Sequence, residues 1–73
     1  MVKNLKYLRT RHGISQQQLA DLVGISQQSV NKYENHNIEP DIRTLIAFAE
    51  IFHTSVDFLV GHTDIDHVIE PVQ

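Results

Sequence analysis

Within one six-residue stretch, Gln27, Gln28, Asn31 and Lys32 could do recognition chemistry if a helix presents them on one face. Carboxamides donate and accept together, which matches the N6 and N7 edge of adenine, and an ammonium suits O6 and N7 of guanine. Gln16, at the start of an earlier segment, has a different opportunity, because the free amides and positive dipole end of a helix favour phosphate there. For catalysis the sequence offers little. It has no glycine-rich phosphate loop, no nucleophile motif and no spacing that makes a convergent carboxylate pair. Ser15, Ser26 and Ser55 read as helix caps, and His12, His36 and His53 are scattered. His62, Asp64, Asp66 and His67 lie close together but match no strong metal signature. No enzyme, metal or cofactor is expected.

The elements that must carry these residues can be read from pattern and caps. Residues 3–12 place Leu5, Leu8 and His12 at helical spacing, and Gly13 suits the left-handed position that ends a helix. Ser15-Gln16-Gln17-Gln18 has capping-box form, opening a second helix with Leu19, Ala20, Leu22 and Val23 on its apolar face. Gly24 and Ile25 make a tight turn, and Ser26 caps a third helix of about 27–35. That helix has only Val30 and Tyr33 as strong apolar residues, so it cannot be mainly a core element. Asp41 caps a fourth helix, 42–52, whose expected inner stripe is Ile42, Leu45, Ile46, Ala49 and Phe52. Ser55 caps a fifth, 56–60, closed by Gly61. The expected architecture is all-α: a compact five-helix bundle over residues 1–61, with 62–73 as a C-terminal arm or linker.

At 73 residues this is one domain, and a chain of that size buries only about 60% of its unfolded surface. It has no cysteine, so stability must come from helix packing, helped by oligomerisation. Neither an apolar run long enough to span a membrane nor the apolar core of a secretory signal is visible, and a cytoplasmic location is expected. The net charge of −3 conceals an asymmetry. Lys3, Lys6, Arg9, Arg11 and Lys32 face only Asp21 and Glu34 in the first half. In the second half Arg43 stands against Glu39, Asp41, Glu50, Asp57, Asp64, Asp66 and Glu70. One half can therefore approach phosphate, while the other faces solvent or a protein partner.

Two short helices joined through Gly24 form a helix-turn-helix, which frees the outward face of the second to enter a major groove. The run from Ser15 to Asn35 resembles the repressor/Cro-type (XRE-like) helix-turn-helix family of phage repressors and bacterial regulators. So do Leu8-Arg9, the segment Pro40 to Leu45, and the segment Ser55 to Leu59. The resemblance covers roughly residues 3–61. It implies base contacts from Gln27, Gln28 and Lys32, with Asn31 beside them, and phosphate contacts from Gln16, Gln17, Ser26 and Asn35. It further implies an Arg9–Glu34 pair between the first helix and the end of the recognition helix. If exposed, such a pair contributes only ~0–1 kcal/mol. His53 departs from the pattern, standing where glycine often ends the fourth helix, and the loop His36-Asn37-Ile38-Glu39 is less basic than usual.

Family members often dimerise through helices four and five, which makes Ala47, Phe48, Ile51, Val56 and Phe58 the expected homodimer interface. Alternatively Phe48 and Phe58 are core, and Val68, Ile69 and Val72 make the contact. The expected function is a sequence-specific regulator of double-stranded DNA, a repressor occupying a palindromic operator as a dimer. A second reading is an antitoxin-like or anti-repressor module whose acidic half binds a basic protein.

Overall fold

The computed structural model describes residues 1–63, which form α1 (Leu5–Arg11), α2 (Gln16–Val23), α3 (Gln27–Asn35), α4 (Ile42–Ile51) and α5 (Val56–Val60). The described residues contain no strand, so the all-α, five-helix expectation holds. The arm residues Asp64, Asp66, His67, Val68, Ile69 and Val72 lie outside the described residues.

Side-chain oxygens set where four of these helices begin. Ser15 Oγ accepts from the Gln18 amide at 3.0 Å and Gln18 Oε1 accepts from the Ser15 amide at 2.8 Å, a complete capping box. Ser26, Asp41 and Ser55 likewise accept from the amides of Ser29, Thr44 and Phe58 at 2.9–3.1 Å. Each cap satisfies an amide that has no partner within its helix. Only α1 starts otherwise. Asn4 makes no side-chain cap and instead donates Nδ2 to the Phe58 carbonyl of α5 at 2.6 Å. Ahead of it, the buried Val2 donates its amide to the Tyr33 carbonyl of α3 at 2.7 Å. The amino-terminal segment thus ties α3 to α5.

The core gathers Val2, Leu5, Leu8, Leu19, Ala20, Val30, Phe48, Ala49, Phe52, Phe58 and Leu59. Its aromatic rings meet edge-on: Tyr33 with Phe48 at 6.3 Å and Tyr7 with Phe58 at 6.2 Å between centroids. His12 is exposed rather than inward, although its ring lies 5.1 Å from that of Phe52.

The expected inner stripe of α4 needs correction. Leu45, Ala49 and Phe52 do point inward, but Phe48 joins them with no exposed surface, while Ile42 is 74% and Ile46 45% exposed. This helix is apolar almost all round, so two helical phasings are available from its sequence. The observed phasing buries Phe48 and gains its edge-on contact with Tyr33. Phe48 and Phe58, expected at a dimer interface, are therefore core side chains of the monomer.

His53 lies just beyond α4 at φ 52°, in the left-handed region that favours glycine. A side chain there costs about 1–2 kcal/mol, partly offset by its smaller entropy loss on folding. His53→Gly should therefore raise stability by about 0.5–1 kcal/mol, measured as a higher denaturation midpoint. The Thr44 hydroxyl and amide hydrogen-bond the Asp41 carboxylate and hold its pKa below the usual range. A lowered carboxylate pKa adds stability above its unfolded-state value, and that stability is lost as pH falls through the folded value. Asp41→Ala should accordingly lower Tm at neutral pH, with the difference narrowing in acid.

Candidate nucleic-acid interface

The position of α3 follows from the turn before it. Gly24 adopts φ 81° and ψ 32°, a conformation strained for any residue with a Cβ. Its amide and that of Ile25 both donate to the Ala20 carbonyl, at 2.8 and 3.0 Å. Ala20 is fully buried, and its single methyl leaves room for the neighbouring helix. Val30 and Glu34 are the buried residues of α3, with Tyr33 half-buried against Phe48. The opposite surface carries Gln27, Gln28, Lys32 and Asn35, all exposed, with Asn31 half-buried beside them. The expected base-contact residues thus share one exposed polar surface of one helix.

A hydrogen-bonded chain connects this surface to the interior. Arg9 holds Glu34 through Nε to Oε2 at 2.6 Å and Nη2 to Oε1 at 3.1 Å, and its Nη1 donates to the Ile14 carbonyl at 2.9 Å. Gln16 Nε2 donates to Glu34 Oε1 at 3.1 Å, and Gln27 Nε2 donates to Gln16 Oε1 at 2.8 Å. The ion pair is buried, with side-chain exposure of 11% for Arg9 and none for Glu34. Its bidentate geometry is the strong form of such a pair, and the Glu34 hydrogen bond lifts the Arg9 pKa above its ordinary value. The weak surface bridge considered from sequence alone is therefore a buried one, and it governs the end of α3.

Of the other expected phosphate residues, Gln16, Gln17 and Ser26 lie at the two helix starts and Asn35 at the end of α3. Gln16 and Gln17 open α2, with the Gln17 amide donating along its own helix to Asp21 at 2.8 Å. Ser26 caps α3 and shares a 2.9 Å hydroxyl contact with Ser29, a residue the sequence reading did not single out. Asn35 bonds back to the Asn31 carbonyl at 3.2 Å. The Gln16–Glu34 and Gln16–Gln27 contacts were also missed, because they join residues 18 and 11 positions apart that no local pattern relates. On the far side, Ala47, Ile51 and Val56 are half-buried and Val60 is exposed.

Fold and surface together define a helix-turn-helix domain built to present a polar helix outward. Comparison with known proteins agrees, since a helix-turn-helix family model matches residues 5–59. The chain belongs to the repressor/Cro-type (XRE-like) helix-turn-helix family of DNA-binding transcriptional regulators, proteins that are not enzymes. It is 41% identical over 71 residues to the SPbeta prophage-derived uncharacterized HTH-type transcriptional regulator YonR of Bacillus subtilis, covering 92% of this chain and 66% of that protein. Antitoxin PezA of Streptococcus pneumoniae is 32% identical over 71 residues, covering 97% and 43% respectively. A crystal structure of a transcriptional regulator from Listeria innocua aligns with a TM-score of 0.76 at 37% identity, covering 85% of this chain and 58% of that one. The chain thus spans between 43% and 66% of the length of these relatives. Among the described residues no helix is long and apolar enough to cross a membrane.

Removing one partner of a buried pair leaves an uncompensated charge, at a cost of about 3–5 kcal/mol. Against a typical total of about 5–15 kcal/mol, Glu34→Ala should therefore remove a large share of this domain's stability. Chemical denaturation monitored by circular dichroism measures that loss directly.

Proposed function

We propose that this chain is a cytoplasmic, sequence-specific repressor that occupies a palindromic operator as a homodimer. The carrying observation is the surface of α3, where four polar side chains stand outward on a helix anchored by Val30, Tyr33 and Glu34. In this reading Gln27, Gln28, Asn31 and Lys32 face base edges in the major groove. Gln16, Gln17, Ser26 and Asn35 contact phosphates and fix the register. Repression is then occupancy: the bound dimer excludes other proteins from the same DNA.

Dimerisation is assigned to the α4–α5 side. Ala47, Ile51 and Val56 keep part of their surface exposed, and the outward Ile42 and Ile46 sit one turn apart. Exposed apolar side chains in such numbers on a small domain favour a contact surface. A two-fold pair would set its recognition helices about 34–36 Å apart, one turn of DNA. A second reading, an antitoxin-like module, is favoured by the likeness to PezA and by the acidic second half of the chain. Co-purification with a basic partner protein would support it.

Selection from randomised duplex DNA at moderate salt should enrich an inverted repeat with half-sites about one helical turn apart. Retention without sequence preference would remove the base-reading roles of Gln27 and Gln28. Gln28→Ala should cost about 1–3 kcal/mol at its own base pair and relax preference there. Lys32→Ala should weaken binding with the slope of log K against log salt unchanged if it reads a base. A slope shallower by about 0.9 would assign it to a phosphate.

A further inference from the structure

We propose that Glu34 is a positioning residue for base recognition: acting through Gln16, its buried carboxylate sets which way round the Gln27 amide faces the DNA. The inference rests on the reading of Gln27 as a base contact and adds a residue that no DNA could reach. An ion-paired carboxylate offers acceptors and no donor. Gln16, 3.1 Å away, can therefore only turn its NH2 group toward Glu34. Its carbonyl oxygen is then left facing Gln27, which must give one N–H to it, at 2.8 Å.

What remains of the Gln27 amide for a ligand is its second N–H and its carbonyl oxygen, in fixed order. An N–H beside an acceptor is complementary to N7 and N6 of adenine. Reversing Gln27 would set two carbonyl oxygens against each other, and reversing Gln16 would set one against the Glu34 carboxylate. Arg9 holds the carboxylate in place with a hydrogen bond to each of its oxygens. No buried side-chain nitrogen or oxygen among the described residues lacks a partner, so the inner end of the chain of bonds is fully satisfied. The second N–H of Gln16 stays available for phosphate, which makes its two roles compatible. The base-reading amide thus reaches DNA already oriented, with less ordering left to do on binding.

The test compares base preferences selected from randomised duplex DNA by the wild type, Gln27→Ala, Glu34→Gln and Arg9→Lys. Gln27→Ala identifies the position that Gln27 reads. Glu34→Gln supplies an amide that can meet Gln16 with either face. It should cut preference at that one position from about tenfold to about twofold, sparing the positions read by Gln28 and Lys32. Arg9→Lys weakens the fold but keeps the carboxylate, and should retain the preference. Because Glu34→Gln leaves a guanidinium without its counter-ion, Arg9→Gln/Glu34→Gln provides a neutral companion with the same expected loss. Full preference in either folded Glu34 variant would overturn the proposal, as would an equal loss at every position, the mark of a merely structural role. If Gln27→Ala shifts no base preference, the base-contact reading fails and the proposal with it. Side-chain amide NMR signals of Gln16 and Gln27 in DNA-free protein separate the cases, because they should change in Glu34→Gln and persist in Arg9→Lys.

Discussion

The Arg9–Glu34 pair is the constraint on which the working surface depends. A helix as polar as α3 has little of its own to hold it in place, and Val30 with half of Tyr33 is a small apolar anchor. Glu34 adds a third attachment at the opposite end from the Gly24 turn, with no exposed side-chain surface of its own. A charge placed there must be matched, and Arg9 matches it with two hydrogen bonds while a third reaches the Ile14 carbonyl. One side chain on α1 therefore locks the end of α3 and the loop leading into α2. The angle of the recognition helix is held from the same place as the carboxylate behind it.

The remainder of the bundle can be understood as support for that arrangement. Caps at Ser15, Ser26, Asp41 and Ser55 start four helices, and the amino-terminal segment joins α3 to α5 through Val2 and Asn4. In a domain this small such polar ties matter because the apolar core is limited. The core is completed by aromatic rings meeting edge-on, which is why α4 turns Phe48 inward and leaves Ile42 and Ile46 outside. A monomer that buries its phenylalanines and exposes isoleucines divides the labour of α4 between its own core and an outward face. The polar surface on α3 and the apolar surface on α4 are then held as parts of one small unit.

Polar side chains on a recognition helix gain specificity from how firmly they are oriented, as well as from what they are. A free glutamine can present either order of donor and acceptor to a base. Gln27 is tied to Gln16, and Gln16 to Glu34, so the amide's freedom is reduced before any ligand arrives. Gln28, its exposed neighbour, has no such tie. The two neighbouring glutamines, identical in composition, are thus placed in different physical situations by the fold.

The sequence by itself determined the helices and the turn, because caps, glycine positions and 3.6-residue periodicity act within a few residues of one another. Ser15 with Gln18, Gly24 and Ser26 are each legible locally, and with them the helix-turn-helix and its outward amides. The Arg9–Glu34 pairing was visible only by resemblance, and its burial was not visible at all. Tertiary structure alone decided the phasing of α4, since a helix apolar on nearly every side carries no dominant stripe to read. It also decided that His12 lies outside, that Val2 lies inside and that Gln16 stands between Glu34 and Gln27. Those outcomes depend on which helix packs against which, and contacts between residues far apart in the chain leave no mark in its local pattern.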